Sequence, residues 1–178
     1  MGQYFQAVIL DPVTEQTTIK AAIHPWDYQN GAKLAEHSWM KNPFVLTVES
    51  RFLPGGEFYK HRLAWAGDYA DAEPDSGETL YRMAKALQIH PRISRVPGKY
   101  RYILNHSKRV YIDKADIPEY DGWIVHPLPY LTFNGDMDAV CIDKEASILG
   151  TDIGTWARDI ISIEESPAID YTNLLGKK

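Results

Sequence analysis

Short runs of β-type residues, each closed off by a turn, constrain this chain more than any other feature. "YFQAVIL" (Tyr4 to Leu10) is compact and apolar and reads as a buried strand, and "DPVTEQTT" turns after it, with Pro12 fixing the backbone. "FVLTVESRFL" (Phe44 to Leu53) is again β-type. "PGGE" then turns the chain into "FYKHRLAWAG", where Tyr59, His61, Leu63 and Trp65 alternate with Phe58, Lys60, Arg62 and Ala64. Period two between glycines predicts a hairpin. "KYRYIL", "NHSK" and "RVYID" predict a second hairpin, exposed at Asn105 to Lys108 and with Tyr102 and Leu104 turned inward. "TWARDIISIEE" supplies the final strand, and "AWAGDYA" and "TWARDII" share Trp-Ala-x-Asp, too short a match to be a repeat.

Helical spacing occurs twice. After the loop "HPWDYQNG", Asn30-Gly31 starts "AKLAEHSWM", which buries Leu34, Ala35 and Trp39 and is stopped by Asn42-Pro43. "ETLYRMAKALQI" places Leu80, Met83, Ala84 and Leu87 on one face, with Asp75 as N-cap and Glu78 three residues on. His90-Pro91 ends it. "GWIVHPLPYLTF" reads as extended, confined to an edge by Pro127 and Pro129. Residues 134–150 read as a polar loop and 166–178 as an irregular tail. The expected fold is α+β: one domain over 1–178, a mostly antiparallel sheet of about six strands flanked by two helices.

The chain of 178 residues is long enough to bury a core without staples. Its single cysteine, Cys141, excludes an intrachain disulfide. No apolar run approaches a bilayer span, and the start lacks a basic leader, so the expected location is the cytoplasm, with no membrane partner. A net charge of −5 argues against a dedicated nucleic-acid binder, but an acidic surface suits a protein partner with a basic groove.

That acidity concentrates in "WAGDYADAEPDSGE", five carboxylates in fourteen residues. Read from Asp71 as a calcium loop, it starts well with Glu73 and Asp75, then fails at Ser76 and Arg82, where glycine and glutamate belong. Asp68 and Asp71 alone make at most a loose magnesium site. The expectation is a charge-presenting surface of Asp68, Tyr69, Asp71, Glu73 and Asp75, with no metal and no cofactor. "AEHSW" sets Glu36 beside His37 without a second histidine four residues on, so it carries no zinc signature. The alternative is a ligand or hydrolase site drawing on Glu36, His37, Asp68, Asn105, His106, Arg158 and Asp159, of which Glu36, His37, Asp68, His106 and Asp159 are residue types able to move protons near neutral pH. The hairpin "KYRYILNHSKRVY" interleaves cations with tyrosines. It reads first as a packed hairpin with solvated charges, and direct nucleic-acid binding is not expected.

The segments "MGQYF", "GAKLAEHSW", "WAGDYAD", "YRYILNHSKRVYID", "HPLPYLT" and "GTWARDIIS", in that order over most of the chain, resemble an uncharacterised family of bacterial and phage proteins. The family's glycine-rich "GNGxGGGDY"-like segment is here "FNGDMDAVCID", so only Asn134, Gly135 and Asp136 correspond. The resemblance implies no activity or catalytic residue. It implies a setting in phage or mobile DNA, hence an accessory protein that inhibits a host defence factor such as a CRISPR nuclease effector. The alternative it leaves is a sponge for, or hydrolase of, a nucleotide signal.

Overall fold

Residues 2–14, 16–142 and 144–176 are described by the structure, a computed structural model. Residue 143 of the expected loop and residues 177 and 178 of the expected tail lie outside them, as does the first residue of "MGQYF". Among the described residues one sheet carries eight strands: β1 (Phe5–Leu10), β2 (Ile19–Ile23), β3 (His61–Gly67), β4 (Tyr102–Asn105), β5 (Val110–Asp113), β6 (Phe133–Asn134), β7 (Asp159–Glu164) and β8 (Thr172–Asn173). Their order is β2-β1-β3-β7-β4-β5-β8, with β6 attached to β3. Pairing is antiparallel except for β3 with β6 and β5 with β8. The architecture is α+β, with more strands than the expected six: β2 was not anticipated, β6 begins just before the supposed loop, and β8 comes from the supposed tail.

The largest departure is α2 (Pro43–Arg51), which replaces the strand expected at Phe44 to Leu53. Asn42-Pro43 does not stop a helix; it starts one. The Asn42 carboxamide accepts from Phe44 N at 2.9 Å and Val45 N at 3.2 Å, and Pro43 occupies the first helical position, where no N–H is needed. Phe44, Val45, Val48 and Phe52 then fall on one buried face. The expected first hairpin is therefore a helix, a turn segment and the single strand β3. The same device makes α4 (Pro127–Leu131) helical where an extended edge was expected: His126 caps Leu128 N, Pro127 opens the helix, and all five residues are buried.

The two expected helices survive as short pieces. α1 spans only Leu34–His37; Leu34 is buried while Ala35 is exposed and Trp39 half-buried. α3 (Leu80–Met83) continues as a 3-10 turn through Ala84–Leu87, and Thr79, not Asp75, is its N-cap. Leu80 and Ala84 are buried, but Leu87 is 42% exposed.

The sheet is covered on both faces. The larger core joins Phe5, Ile9, Leu63 and Trp65 to α2 and α4, and extends to Ile103, Ile112, Ile161 and Ile163. On the other face Val8, Leu10, Ala22, Ala64 and Ala66 meet Leu80 and Ala84. This is why β1 is buried at every position and why small residues alternate with Leu63 and Trp65 in β3: α3 lies close against alanines. Trp65 and Trp156 are both buried, as their apolar runs predict. The β4–β5 hairpin forms with Leu104 buried, Tyr102 half-buried, and Ser107 and Lys108 exposed; Asn105, expected at the surface, is buried.

Candidate functional site

Antiparallel pairing brings the start of β1, the end of β2 and the end of β3 to one edge, with Ala7 opposite Ile23 and Phe5 opposite Gly67. A cleft of about 730 Å³ opens there, under α3 and its 3-10 extension. That volume suits a drug-sized molecule. Buried or half-buried Gln6, His24, Asp68 and Tyr81 line it together with exposed Trp26 and Tyr69, and Asp27, Glu78, Arg82, Lys85 and Gln88 complete the walls.

Each wall has a local cause. Beyond β2, Pro25 opens a 3-10 turn (Pro25–Tyr28), and Trp26 N donates to His24 Nδ1 at 3.3 Å. Nδ1 is thus unprotonated, so His24 Nε2–H donates to Tyr81 Oη at 3.1 Å. The Tyr81 hydroxyl keeps its own proton for another acceptor. Burial holds the His24 pKa below its ordinary value, against the pull of Asp27, and burial raises that of Tyr81, helped by Asp68 and Tyr4. Both groups are neutral at pH 7.

Gln6, fully buried, donates to the Tyr81 carbonyl at 2.7 Å and accepts from Gln88 Nε2 at 2.9 Å, tying α3 and its extension to β1. At the end of β3 the chain passes tightly over Gln3: a Cβ on Gly67 would sit 2.2 Å from Gln3 Oε1. The tight passage is followed by Asp68, which accepts from Tyr4 N at 2.9 Å.

The rim is aromatic and charged. Trp26 is 62% exposed and Tyr69 48%, and Tyr4 meets Trp26 edge-on at 6.3 Å. Asp27 pairs with His90 at 2.7 Å. Arg82 and Lys85, one helical turn apart, form no ion pair with any other described residue. The cleft thus offers aromatic faces, hydrogen-bonding edges and two unpaired cations.

The acidic stretch divides. Asp71 and Asp75 are exposed, Asp68 is half-buried at the cleft, and Tyr69 is on the rim. Glu73 is not a surface charge. It is 6% exposed, grips the Arg158 guanidinium with both oxygens and accepts from Thr17 Oγ1 at 2.8 Å. Its hydrogen bond from Arg158 holds its pKa below the usual carboxylate range, against burial.

The residues of the alternative site fall into separate clusters. Glu36 is exposed and accepts from Lys33 N, so close to Gly31 that a Cβ there would sit 2.1 Å from its carboxylate. His37 is fully buried: Nδ1 donates to Gly31 O at 2.9 Å and Nε2 accepts from Trp65 Nε1 at 2.9 Å. Asn105 donates to Asp159 at 2.7 Å, and Lys108 pairs with the same carboxylate. His106 bonds Tyr171 Oη and Ser162 Oγ, and Arg158 belongs to Glu73. Of the alternative set only Asp68 enters the cleft. The hairpin cations are also engaged: Lys99 with Glu165, Arg101 with Asp113, Lys108 with Asp159 and Arg109 with Asp170.

Among the described residues no group of three or more His, Cys, Asp or Glu side chains is placed to hold a metal ion, and no helix is long and apolar enough to cross a membrane. His24, Trp26, Tyr81, Arg82 and Lys85 were not singled out from the sequence as one site. A signal existed in Trp26, a tryptophan in a Pro-Asp loop outside any periodic run, and in Arg82 and Lys85 on the polar side of a helix. Compared with protein-family models, curated proteins and solved structures, the chain matches none.

Proposed function

We propose that this protein is a non-enzymatic binder of a small planar molecule bearing an anionic group, of nucleotide type, and in the setting implied by the resemblance a sponge for a nucleotide signal. The cleft carries the reading: Trp26 and Tyr69 are largely exposed at its rim while Arg82 and Lys85 form no ion pair with any other described residue. A ring stacked on the aromatics has the Tyr81 hydroxyl and the Asp68 and Gln88 side chains as edge partners, and the cations as partners for phosphate. His24 has both ring nitrogens engaged, so it orients Tyr81 and does not act as a base. Titration of tryptophan fluorescence with mononucleotides and a cyclic dinucleotide tests this. The expected result is saturable quenching with Kd of about 0.1 mM or tighter, weakened at least ~10-fold by Trp26→Ala and by Arg82→Ala. No saturable change with any of these up to ~5 mM overturns it.

A second reading, inhibition of a host defence factor such as a CRISPR nuclease effector, is favoured by exposed Asp71 and Asp75 next to Tyr69. On this reading the acids meet a basic groove and the aromatic anchors the contact.

A further inference from the structure

A second cleft, of about 340 Å³, lies beside α2, distinct in all its lining residues from the first. Its walls are apolar, including Met40, Leu46, Val96, Pro97 and Ile124. Its charged residues are Lys41, Arg101 and Lys114, with Glu49 and His126 in the wall behind them.

Lys114 has 13% of its side chain exposed and is held by the fully buried Glu49 at 2.7 Å. Burial alone would push the Glu49 pKa up, but His126 and Lys114 pull it down to about 2, so the carboxylate is a permanent anchor for the ammonium. His126 Nδ1 accepts from Leu128 N, and its Nε2 lies 3.1 Å from Glu49 Oε1. Glu49, itself a lining residue, is therefore buried beside the cation that it fixes.

Lys41 is exposed and forms no ion pair with any other described residue. Its backbone is left-handed, at φ 67°, a conformation uncommon outside glycine and asparagine. Arg101 gives one N–H to Asp113 at 2.6 Å and keeps nearly half its side chain exposed. Three cations thus border an apolar cleft in which Glu49, buried and already paired, is the only lining carboxylate among the described residues.

We propose that this cleft is a second binding site, for a small carboxylate with an apolar body. The body lies against Leu46, Val96 and Ile124, and the carboxylate accepts from Lys114, with Lys41 and Arg101 adding attraction at the mouth. Glu49 is a positioning residue. By fixing Lys114 in advance it removes part of the ordering cost of binding.

The test is an NMR titration of the whole chain with 3-phenylpropionate and with its neutral counterpart 3-phenylpropanamide. The expected result is saturable shifts at Gly98, Tyr100 and Ile124 for the acid, with Kd of about 1 mM or tighter and at least ~10-fold weaker binding of the amide. Lys41→Ala, a surface change, weakens the acid and leaves the amide unchanged, whereas Lys114→Met abolishes the preference. Equal binding of acid and amide, or no saturable shift up to ~20 mM, overturns the proposal. The comparison of ligands on the parent chain decides the matter even where Lys114→Met unfolds. Nucleotide titration of the first cleft leaves these resonances unmoved, so the two sites fail or stand independently.

Discussion

His37 is the residue whose chemistry is most tightly bound to the fold. Enclosed between Gly31 O, Trp65 Nε1 and the Phe44 ring, it has no room for a second proton, and burial holds its pKa at about 4 against an ordinary 6.5. The folded state binds fewer protons than the unfolded chain between these values, so stability rises with pH there. Above pH 6.5 the group contributes no slope; as pH falls from 6.5 to about 4 it removes up to about 3 kcal/mol. His24 and His106, also depressed chiefly by burial, act in the same sense. Denaturant melts from pH 7 to 4 are expected to show this loss, with a visibly shallower slope in His37→Gln. An identical slope in the variant would show that His37 does not carry it. Glu73 makes a second residue-scale test. Glu73→Gln leaves Arg158 partly buried without its anion and is expected to cost about 2 kcal/mol, whereas Asp71→Asn changes stability by less than about 0.5 kcal/mol. Equal effects in thermal melts would put both acids at the surface.

Among the elements, α2 depends most on a single side chain. Asn42 is fully buried and supplies the acceptor for two backbone donors that have no other partner at a helix start. Asn42→Ala is expected to cost about 1–2 kcal/mol, while Asn42→Asp, which keeps the acceptor, costs less. A variant pair with equal midpoints in urea would deny the cap its role. The helix matters beyond itself, because its buried face backs β1 and β3 through Phe44 and Trp65, 5.1 Å apart, and its Glu49 reaches Lys114 and His126. The tail is likewise an element in its own right. β8 adds to β5, and His106 to Tyr171 and Asn173 to Asp116 fasten it to the hairpin.

At the scale of the molecule, a net charge of −5 coexists with three cations around one cleft and two in the other. The two functional readings make opposite claims about where affinity resides. Replacing Asp71 and Asp75 together by asparagine is expected to leave the thermal midpoint within about 2 °C and nucleotide affinity unchanged, while Trp26→Ala weakens that affinity at least ~10-fold. If the acids instead dock into a basic groove, the double variant loses partner binding and the remaining affinity depends less steeply on salt. Calorimetry of both variants over a range of ionic strength separates the two.

Turn residues and runs of β-type side chains determined the β4–β5 hairpin, β3 and β7, and in β3 the alternation of small Ala64 and Ala66 with large Leu63 and Trp65 marks two covered faces. Burial of Trp65 and Trp156 followed for the same reason, as each is the largest side chain of an apolar run. Asn42-Pro43 and His126-Pro127 were harder: proline forbids a helix interior but favours a helix start, and only packing of Phe44, Val48 and Leu128 against the sheet decided which applied. The acidic stretch could be read as charge, but not as buried or exposed charge. Arg158 lies 85 residues from Glu73, and they meet only once β7 has paired with β3 and the acidic stretch has folded back beside it. The cleft follows the same logic. Gln6, Trp26, Tyr69 and Tyr81 belong to four separate segments, and nothing in the sequence joins them. The antiparallel order of β1, β2 and β3 brings their ends to one edge, so the site exists only once the sheet has formed.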